Sequence, residues 1–199
     1  MAVKAISSAA LGHRRWPAPG DWTYRDYLEL PDDGQRYEII WGEIYMMTLA
    51  PSTRHQRVSR NLVFALWDHV RDRDLGEVLV APCDLLMEPG ATPVQPDILF
   101  ITRPRLEMIG ADSIRGVPDL LVEILSSTNA RHDRVTKYEL YEKSGVPEYW
   151  IADPAARAIE VFSLKEGRYA LLGPFGAEEK IASKVLPGFS VEVGRIVPT

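Results

Sequence analysis

Two acidic residues stand out because each lies in or beside an apolar stretch of the chain. Glu123 interrupts the run Leu-Leu-Val-Glu-Ile-Leu at residues 120–125, and Asp97 follows Pro96 directly before the apolar residues 98–101. A charged carboxylate inside an apolar strand is costly unless it is paired, hydrogen-bonded or bound to a cation. Hard divalent cations prefer carboxylate oxygens as ligands. The two residues therefore predict a metal site, provided that their strands are neighbours in a sheet.

Each acidic residue also has a simpler interpretation. Asp97 could cap the start of a strand, since Pro-Asp is a common turn signal, and Glu123 could belong to a buried ion pair. Asp119 shares a strand face with Glu123, but four residues at about 3.3 Å each place their backbones roughly 13 Å apart. Asp119 is therefore too distant to share one ion with Glu123, and the partner must come from another strand.

Hydrophobic periodicity and turn residues predict the elements that position these side chains. Residues 21–30 are expected to contain a short helix, and residues 37–41 and 43–47 are expected to form a hairpin around Gly42. The apolar spacing after residue 53 is typical of one long amphipathic helix. The remaining predicted elements are strands at 77–87, 94–101 and 119–125, a helix from Asp133 to about Lys143, a strand at 148–152, and a closing meander over 158–164 and 168–172.

Composition limits the classes of protein and partner. With 199 residues, 46% of them hydrophobic, the chain can bury one core, so we predict a disordered tail over 1–20 and a single domain over 21–199. Cys83 is the only cysteine, which excludes a disulfide framework and suits a cytoplasmic protein. No stretch approaches the ~18 apolar residues that a membrane span needs. A homodimer is left open.

The charge balance constrains any binding of nucleic acid. The net charge of -5 does not attract a polyanion, so DNA binding would need a local basic patch. Arginines 54, 57 and 60 recur every three residues along the long helix, and Arg131 lies in a later loop. A solvated helix face is the ordinary interpretation of such spacing. We nevertheless predict that Arg54, Arg57 and Arg131 contribute to any DNA binding.

Several blocks of the chain, in the same order and spacing, resemble the PD-(D/E)XK nuclease superfamily and within it the Uma2 family of restriction endonucleases. The blocks are residues 37–43, 51–55, 95–97, 118–126 and 145–153, together with Asp133, Lys137 and Tyr141. The resemblance implies an α/β fold with a restriction-endonuclease-like core, in which a mixed β-sheet is flanked by helices. The N-terminal hairpin and the C-terminal meander are additions to that core.

The same resemblance implies a function and a site. It implies a DNA endonuclease, a hydrolase that cleaves phosphodiester bonds with Mg²⁺ (or Mn²⁺) held by Asp97 as the first acid and Glu123 as the second. Glu43 and His55 lie at further positions that match the family's blocks, and they are additional candidates for catalysis. A solvated hairpin glutamate and a polar residue at a helix start are the alternatives for those two.

One position departs from the superfamily pattern. The lysine expected two residues after the second acid is replaced by Leu125. Lys137 is the candidate substitute, because it lies on one helical stripe with Asp133 and Tyr141, although an exposed helix lysine is equally consistent with the sequence.

The missing lysine keeps a second class of function open. The chain could be a catalytically inactive binding or assembly module with a nuclease fold. A glycosidase with paired carboxylates is a third, weaker hypothesis, because the sequence offers no aromatic-rich sugar cleft.

Overall fold

A computed structural model describes residues 4–5, 16–47, 51–87, 93–127 and 129–198. The helices are α1 (Tyr24–Leu28), α2 (Thr53–Arg73), α3 (Tyr138–Ser144) and α4 (Val193–Ile196), with a 3-10 helix at Arg103–Met108 and a π-helix at His132–Lys137. The strands are β1 (Lys4–Ala5), β2 (Tyr37–Ile40), β3 (Glu43–Met46), β4 (Gly76–Val80), β5 (Leu85–Leu86), β6 (Ile98–Thr102), β7 (Ile114–Arg115), β8 (Leu120–Ile124), β9 (Glu148–Asp153), β10 (Ala158–Lys165), β11 (Arg168–Gly176), β12 (Lys180–Ala182) and β13 (Ser190–Glu192).

The centre of the fold is a six-stranded mixed sheet in the order β11-β10-β9-β8-β6-β4. Strands β8 and β9 run parallel, and their neighbours pair antiparallel. The chain passes from β8 to β9 through the π-helix and α3, as a parallel pair requires a crossover. Smaller sheets combine β1, β3 and β2, then β12 with β13, and β5 with β7. The predicted α/β class with a mixed sheet flanked by helices is confirmed.

Strand alternation divides the core between the two faces of the sheet. On β8, Leu120, Val122 and Ile124 pack with the apolar stripe of α2. Leu121 and Leu125 pack on the other face, with Tyr141 of α3. Glu123 points to that second face. The sheet therefore places Glu123, a buried carboxylate in the interior of a strand, under the helix that follows β8.

The N-terminal hairpin forms as predicted, with a two-residue turn. Ile40 pairs with Glu43, and both turn residues have positive φ, 52° at Trp41 and 74° at Gly42. These angles match the turn type that suits the twist of a hairpin. A Cβ on Gly42 would overlap the backbone of Gly20, so this glycine is needed for close approach as well.

Three predicted elements have different boundaries. The strand expected at 77–87 is split into β4 and β5 around Ala81 and Pro82. The strand expected from Val94 begins at Ile98, because Pro93 and Pro96 interrupt the pattern. Helical backbone begins at Ala130, so Asp133 is inside the helix and is not its N-cap.

The predicted disordered tail falls mostly outside the described residues. Within the range 1–20, Lys4–Ala5 pairs with β3, and the ring of Trp16 stacks on Trp22 with centroids 5.5 Å apart. These two parts of the range are therefore structured. For residues 1–3 and 6–15 the tail stays a prediction. No helix among the described residues is long and apolar enough to cross a membrane.

Candidate functional site

Asp97 and Glu123 lie on neighbouring strands at the same end of the sheet. Ile98 of β6 pairs with Val122 of β8, and one further step of this antiparallel register places Asp97 opposite Glu123. Opposite residues of such a pair have Cα atoms about 5 Å apart. Oδ2 of Asp97 accepts a hydrogen bond from the backbone N–H of Ile124 at 2.8 Å. The two strands are therefore neighbours in the sheet, which is the condition under which the sequence predicts a shared metal site.

Lys137 reaches this pair from the π-helix. Its ammonium group lies 3.0 Å from Oε1 of Glu123 and 2.9 Å from Oε1 of Glu38. The side chain is buried, with an exposed fraction of 1%. Tyr141, one turn further on, donates a hydrogen bond to the same Glu123 oxygen at 2.7 Å. Lys137 is therefore a buried cation between two carboxylates, and the exposed helix lysine that the sequence allowed is excluded.

Glu38 is a buried acid that sequence reasoning did not select. Its Oε1 accepts the backbone N–H of Gln95 at 2.8 Å, and its Oε2 lies 3.2 Å from Nε2 of His132. Burial alone would raise the pKa of Glu38, but the charge of Lys137 and these hydrogen bonds lower it to about 2. Glu38 is thus a fixed negative charge beside Lys137.

Two other buried groups in the site have unsatisfied polar atoms. Both carboxylate oxygens of Asp133 and Nδ1 of His55 have no hydrogen-bond partner. Nε2 of His55, in the first turn of α2, lies 3.1 Å from Oδ2 of Asp97. The Asp133 carboxylate lies 3.9 Å from the Lys137 ammonium. Because buried polar groups are rarely left unpaired, such atoms call for an explanation.

The crowding of acids shifts the proton equilibria of the site. Burial, with the negative charges of Asp97 and Glu38, raises the pKa of Glu123 to about 7 although Lys137 opposes the shift. Burial and the charge of Glu123 raise the pKa of Asp133 well above its ordinary value. Burial would lower the pKa of Lys137, yet the surrounding carboxylates raise it well above its usual range. The site therefore holds more acid groups than its one ammonium can neutralise.

Two members of the acid cluster, which comprises Glu38, Asp97, Glu123 and Asp133 around Lys137, line a cleft of about 1150 Å³. Asp97, Glu123, Lys137 and His55 all line it. Its walls come from the first half of α2, from the segment after β8 and from the turn after β4. The polar wall residues include Gln56, Ser59, Ser126, Ser127 and Asn129. The cleft thus gives a ligand access to Asp97 and Glu123.

Not every candidate from the sequence lies in this cleft. Glu43 is a half-buried residue of β3, and it is not among the cleft-lining residues. Arg54 and Arg57 lie beside Pro198 in a separate small depression. Arg60 and Arg36 line the cleft instead.

The chain matches a known family over most of its length. A family model described as "Putative restriction endonuclease", Uma2, matches residues 24–194. The chain belongs to the Uma2 family. The match begins at α1 and ends in α4, so it includes every element that contributes to the acid cluster.

This Uma2 chain resembles solved structures to different degrees, and a TM-score of 0.72 shows the same fold for the first. One is "a putative nuclease belonging to DUF820 from Anabaena variabilis", with a TM-score of 0.72 and 17% identity, covering 88% of this chain and 97% of that one. Another is the type IIG restriction endonuclease BpuSI, with a TM-score of 0.42 and 12% identity, covering 76% of this chain and 17% of that one. A search of curated proteins finds no significant match. The restriction-endonuclease-like fold predicted from the sequence is confirmed.

Proteins with the restriction-endonuclease-like fold generally use divalent metals, and the acid cluster of this chain has oxygen atoms suitable as metal ligands. In the described part of the chain, no three His, Cys, Asp or Glu side chains are arranged so that together they could hold an ion. Mg²⁺ does not need three, because it usually keeps several waters and takes one or two carboxylates plus substrate phosphate. The excess of buried acid and the Asp133 oxygens, which accept no hydrogen bond, also favour a cation here. The residues therefore fit a hard divalent ion at Asp97 and Glu123.

Sequence reasoning missed Glu38 and His132 as members of the cluster, and it placed Asp133 on the stripe of Lys137 without a role in the site. Glu38 carried the signal that identified Glu123, since it is a charged residue among apolar neighbours on a strand. His132 and Asp133 carried no such signal, because their burial depends on helical backbone starting at Ala130 and on the π-helical turn that follows. Such turns are frequent at functional sites.

Proposed function

We propose that this chain is a metal-dependent DNA endonuclease that hydrolyses phosphodiester bonds. Asp97 and Glu123 would hold Mg²⁺ or Mn²⁺. The observation that carries the proposal is the register of β6 and β8, which puts the two acids opposite each other in the lining of the cleft. Membership of a family of restriction endonucleases supports DNA as the substrate.

The chemistry divides between the ion and the side chains of the chain. A divalent ion polarises a phosphate oxygen and lowers the pKa of bound water. Lys137, whose ammonium lies 3.0 Å from Glu123 Oε1, can donate a hydrogen bond to the attacking water or to the charge that develops on the phosphate. Glu38 keeps this ammonium protonated and in place.

His55 is the second side chain with a proposed role. One ring nitrogen contacts Asp97 and the other is buried without a partner. This arrangement fixes the ring and orients the Asp97 carboxylate. It also leaves a nitrogen that can accept or donate a proton when a ligand fills the cleft. Glu43 receives no role in this proposal.

The test is cleavage of labelled DNA with Mg²⁺ or Mn²⁺, comparing wild type with an Asp97→Ala, Glu123→Ala double variant. The proposal expects metal-dependent cleavage by wild type and a loss of at least ~10³-fold in the double variant. Chelation of the metal should stop the reaction. Cleavage that survives chelation, or that is equal in the double variant, would refute the assignment.

One observation favours a second candidate, the inactive binding or assembly module. Leu125 occupies the position of the superfamily lysine and is buried in the core, and Lys137 pairs with Glu38 as well as with Glu123. An ammonium held in this way can be a structural counter-ion. DNA binding without cleavage by any metal-loaded wild-type preparation is the outcome that this candidate predicts.

A further inference from the structure

The outward face of α2 exposes two aromatic side chains in successive turns. Phe64 is 58% exposed and Trp67 is 44% exposed. The two differ in surroundings. Phe64 lines the cleft, whereas Trp67 lies outside its lining and is covered by the guanidinium group of Arg71, 4.2 Å from the ring centroid. Phe64 is therefore an exposed aromatic surface within the cleft that contains the acid cluster.

The geometry of α2 sets the distance between Phe64 and the acid cluster. His55, Ser59 and Phe64 line the cleft from successive turns, and His55 contacts Asp97. Nine residues at 1.5 Å each place Phe64 about 14 Å from His55 along the helix axis. Four stacked nucleotides at ~3.4 Å span the same length. Phe64 also lies about half a turn around the helix from His55, at about 100° per residue, so a strand whose phosphate lies at Asp97 and Glu123 must extend beyond the stacked spacing to bring a base within four nucleotides to Phe64.

The charges of the cleft do not suit the backbone of a duplex. Among the described residues, the lining holds three cationic side chains, Arg36, Arg60 and Lys137, and three acidic ones, Asp33, Asp97 and Glu123. Lys137 is buried against acids, so two arginines are left to contact phosphates. Duplex binding relies on many such contacts. Grooves that bind unpaired strands also use cations, but they add aromatic side chains on which the bases stack, and Phe64 is such a side chain.

Arg60 is positioned to act together with Phe64. It precedes Phe64 by one helical turn, and its guanidinium group donates to the side chain of Asn61 at 2.9 Å. Asn61 in turn donates to the backbone oxygen of Ile196 at 3.0 Å. This chain of bonds anchors the arginine to α4. Val80, which is 46% exposed, and Pro82 add apolar surface to the same cleft.

We propose that Phe64 is a stacking platform for one unpaired base, with Arg60 and Arg36 contacting the flanking phosphates, so that the cleft accepts single-stranded DNA or the unpaired overhang of a duplex. This inference names the substrate class of the cleavage proposed above and rests on it. Bases of an intact duplex have their faces covered by their neighbours, so they cannot stack on Phe64 without being unpaired.

Binding tests the inference independently of cleavage. Fluorescence anisotropy with a labelled single-stranded oligonucleotide, a blunt duplex of the same sequence and the duplex with a 3′ overhang is measured in EDTA and again with Ca²⁺. Phe64→Ala should weaken binding of the single strand and of the overhang by roughly 5- to 150-fold, the cost of one lost stacking contact. Binding of the blunt duplex should change by less than about 2-fold.

Three variants distinguish stacking from other effects. Phe64→Trp should retain binding, and Phe64→Leu, which keeps apolar surface without a π face, should lose it. Trp67→Ala is the matched control, because it removes an exposed aromatic residue from the next turn outside the cleft, and it should bind like wild type. In wild type, one abasic position within four nucleotides of the cleavage position should weaken binding, and in Phe64→Ala that position should no longer matter.

The outcomes separate this inference from the proposed nuclease activity. Phe64-dependent binding of single strands without cleavage would leave the inference standing and refute the nuclease. Cleavage together with equal binding of single strands by wild type and Phe64→Ala would support the nuclease and refute the inference. The inference would be overturned if wild type bound no single strands, or if Phe64→Ala weakened binding of the single strand and of the blunt duplex equally. It would also be overturned if wild type were a dimer that Phe64→Ala converts to monomers in sedimentation.

Discussion

Asp119, which directly precedes strand β8, and Glu123 within that strand are both buried acids, and their surroundings differ sharply. Asp119 accepts hydrogen bonds from the backbone N–H and the hydroxyl of Thr102 at 2.8 and 3.0 Å, and it pairs with Arg105 at 2.8 Å. Glu123 shares its one ammonium with Glu38, and it faces the cleft near Asp97. Donors supplied by the protein satisfy Asp119, whereas the cluster around Glu123 has too few.

The set of hydrogen-bond donors around a buried carboxylate separates a structural residue from a functional one. Glu148 is a third buried acid, and it is satisfied like Asp119, by the indole N–H of Trp150 at 2.8 Å and the backbone N–H of Lys184 at 2.7 Å. Burial is therefore common to all three residues and does not identify the site. The useful signal is an incomplete set of donors in an accessible cleft, because the missing positive charge can come from a ligand.

The largest expected effect is the contrast between Glu123→Gln and Asp119→Asn. Glu123→Gln should reduce cleavage by at least ~10³-fold, since it removes a charged ligand of the ion. Asp119→Asn should leave cleavage within about 3-fold and lower the free energy of unfolding by ~1–3 kcal/mol, because it weakens hydrogen bonds to Thr102 and Arg105. Single-turnover cleavage and urea unfolding check the pair. A comparable loss of cleavage in Asp119→Asn would break the distinction.

Lys137→Met should affect stability and rate together. Removing one partner of a buried ion pair costs about 3–5 kcal/mol, and losing a donor to developing charge typically costs 10²–10³ in rate. Mn²⁺ should raise the melting temperature of Lys137→Met more than that of wild type, because the ion no longer competes with the ammonium for Glu123. Calorimetric melting with and without Mn²⁺ measures this. An equal increase in both proteins would show that the ion and the ammonium occupy separate places.

The pH dependence of stability should show the raised pKa of Glu123. In the folded chain that pKa is about 7, against an ordinary value of 4.5, so the folded state takes up a proton first as the pH falls. The free energy of unfolding should therefore rise by up to ~3 kcal/mol between pH 7 and pH 4.5 in the absence of metal. Glu123→Gln should reduce this rise, and the raised pKa of Asp133 accounts for what remains.

The titration of Glu38 sets the lower pH limit of that experiment. Its folded pKa of about 2 lies below the ordinary value, so its stabilisation is lost only as the pH falls below about 4.5 towards 2. Denaturant unfolding of wild type and Glu123→Gln in EDTA at pH 5 and pH 7.5 makes the comparison. Identical slopes in wild type and Glu123→Gln would contradict it.

The smallest effect concerns the arginines. The double variant Arg36→Ala, Arg60→Ala should weaken DNA binding several-fold at low salt and lower the salt slope by up to about 2, because each lost phosphate contact contributes ~0.7–0.9. The matched pair Arg54→Ala, Arg57→Ala removes the same charge from α2 outside the cleft. Titration of DNA at several salt concentrations separates them. A larger loss of DNA binding in Arg54→Ala, Arg57→Ala would support the basic patch that the sequence predicted. It would indicate that DNA binds at that end of α2.

The sequence predicted the strands and acids that local patterns determine. The apolar run around Glu123, the Pro-Asp pair at Asp97 and the spacing of α2 each depend on neighbours in the chain. The pairing of β6 with β8 could be stated from the sequence only as a condition for a metal site, because the order of strands in a sheet depends on long-range contacts. The role of Lys137 as a bridge between two acids could not be derived either, since it requires the position of Glu38 from a separate small sheet.

Other parts of the site could not be predicted from the sequence for the same reason. Asp133 was expected at a helix cap, because Asp is a good capping residue, but the helix starts earlier and buries it. Arg60 was one of three equally spaced arginines, and only the three-dimensional path of the cleft distinguishes it from Arg54 and Arg57. The strands β12 and β13 and the helix α4, which closes the core with Val193 and Ile196, had no clear periodicity.

The most direct test of the central claim, that Asp97 and Glu123 share one divalent ion, is titration calorimetry of Mn²⁺ into wild type, Asp97→Asn, Glu123→Gln and Asp119→Asn. We expect one ion per wild-type chain, an affinity at least about 10-fold weaker in each of the two site variants, and wild-type affinity in Asp119→Asn. Equal uptake by wild type, Asp97→Asn and Glu123→Gln would contradict the claim.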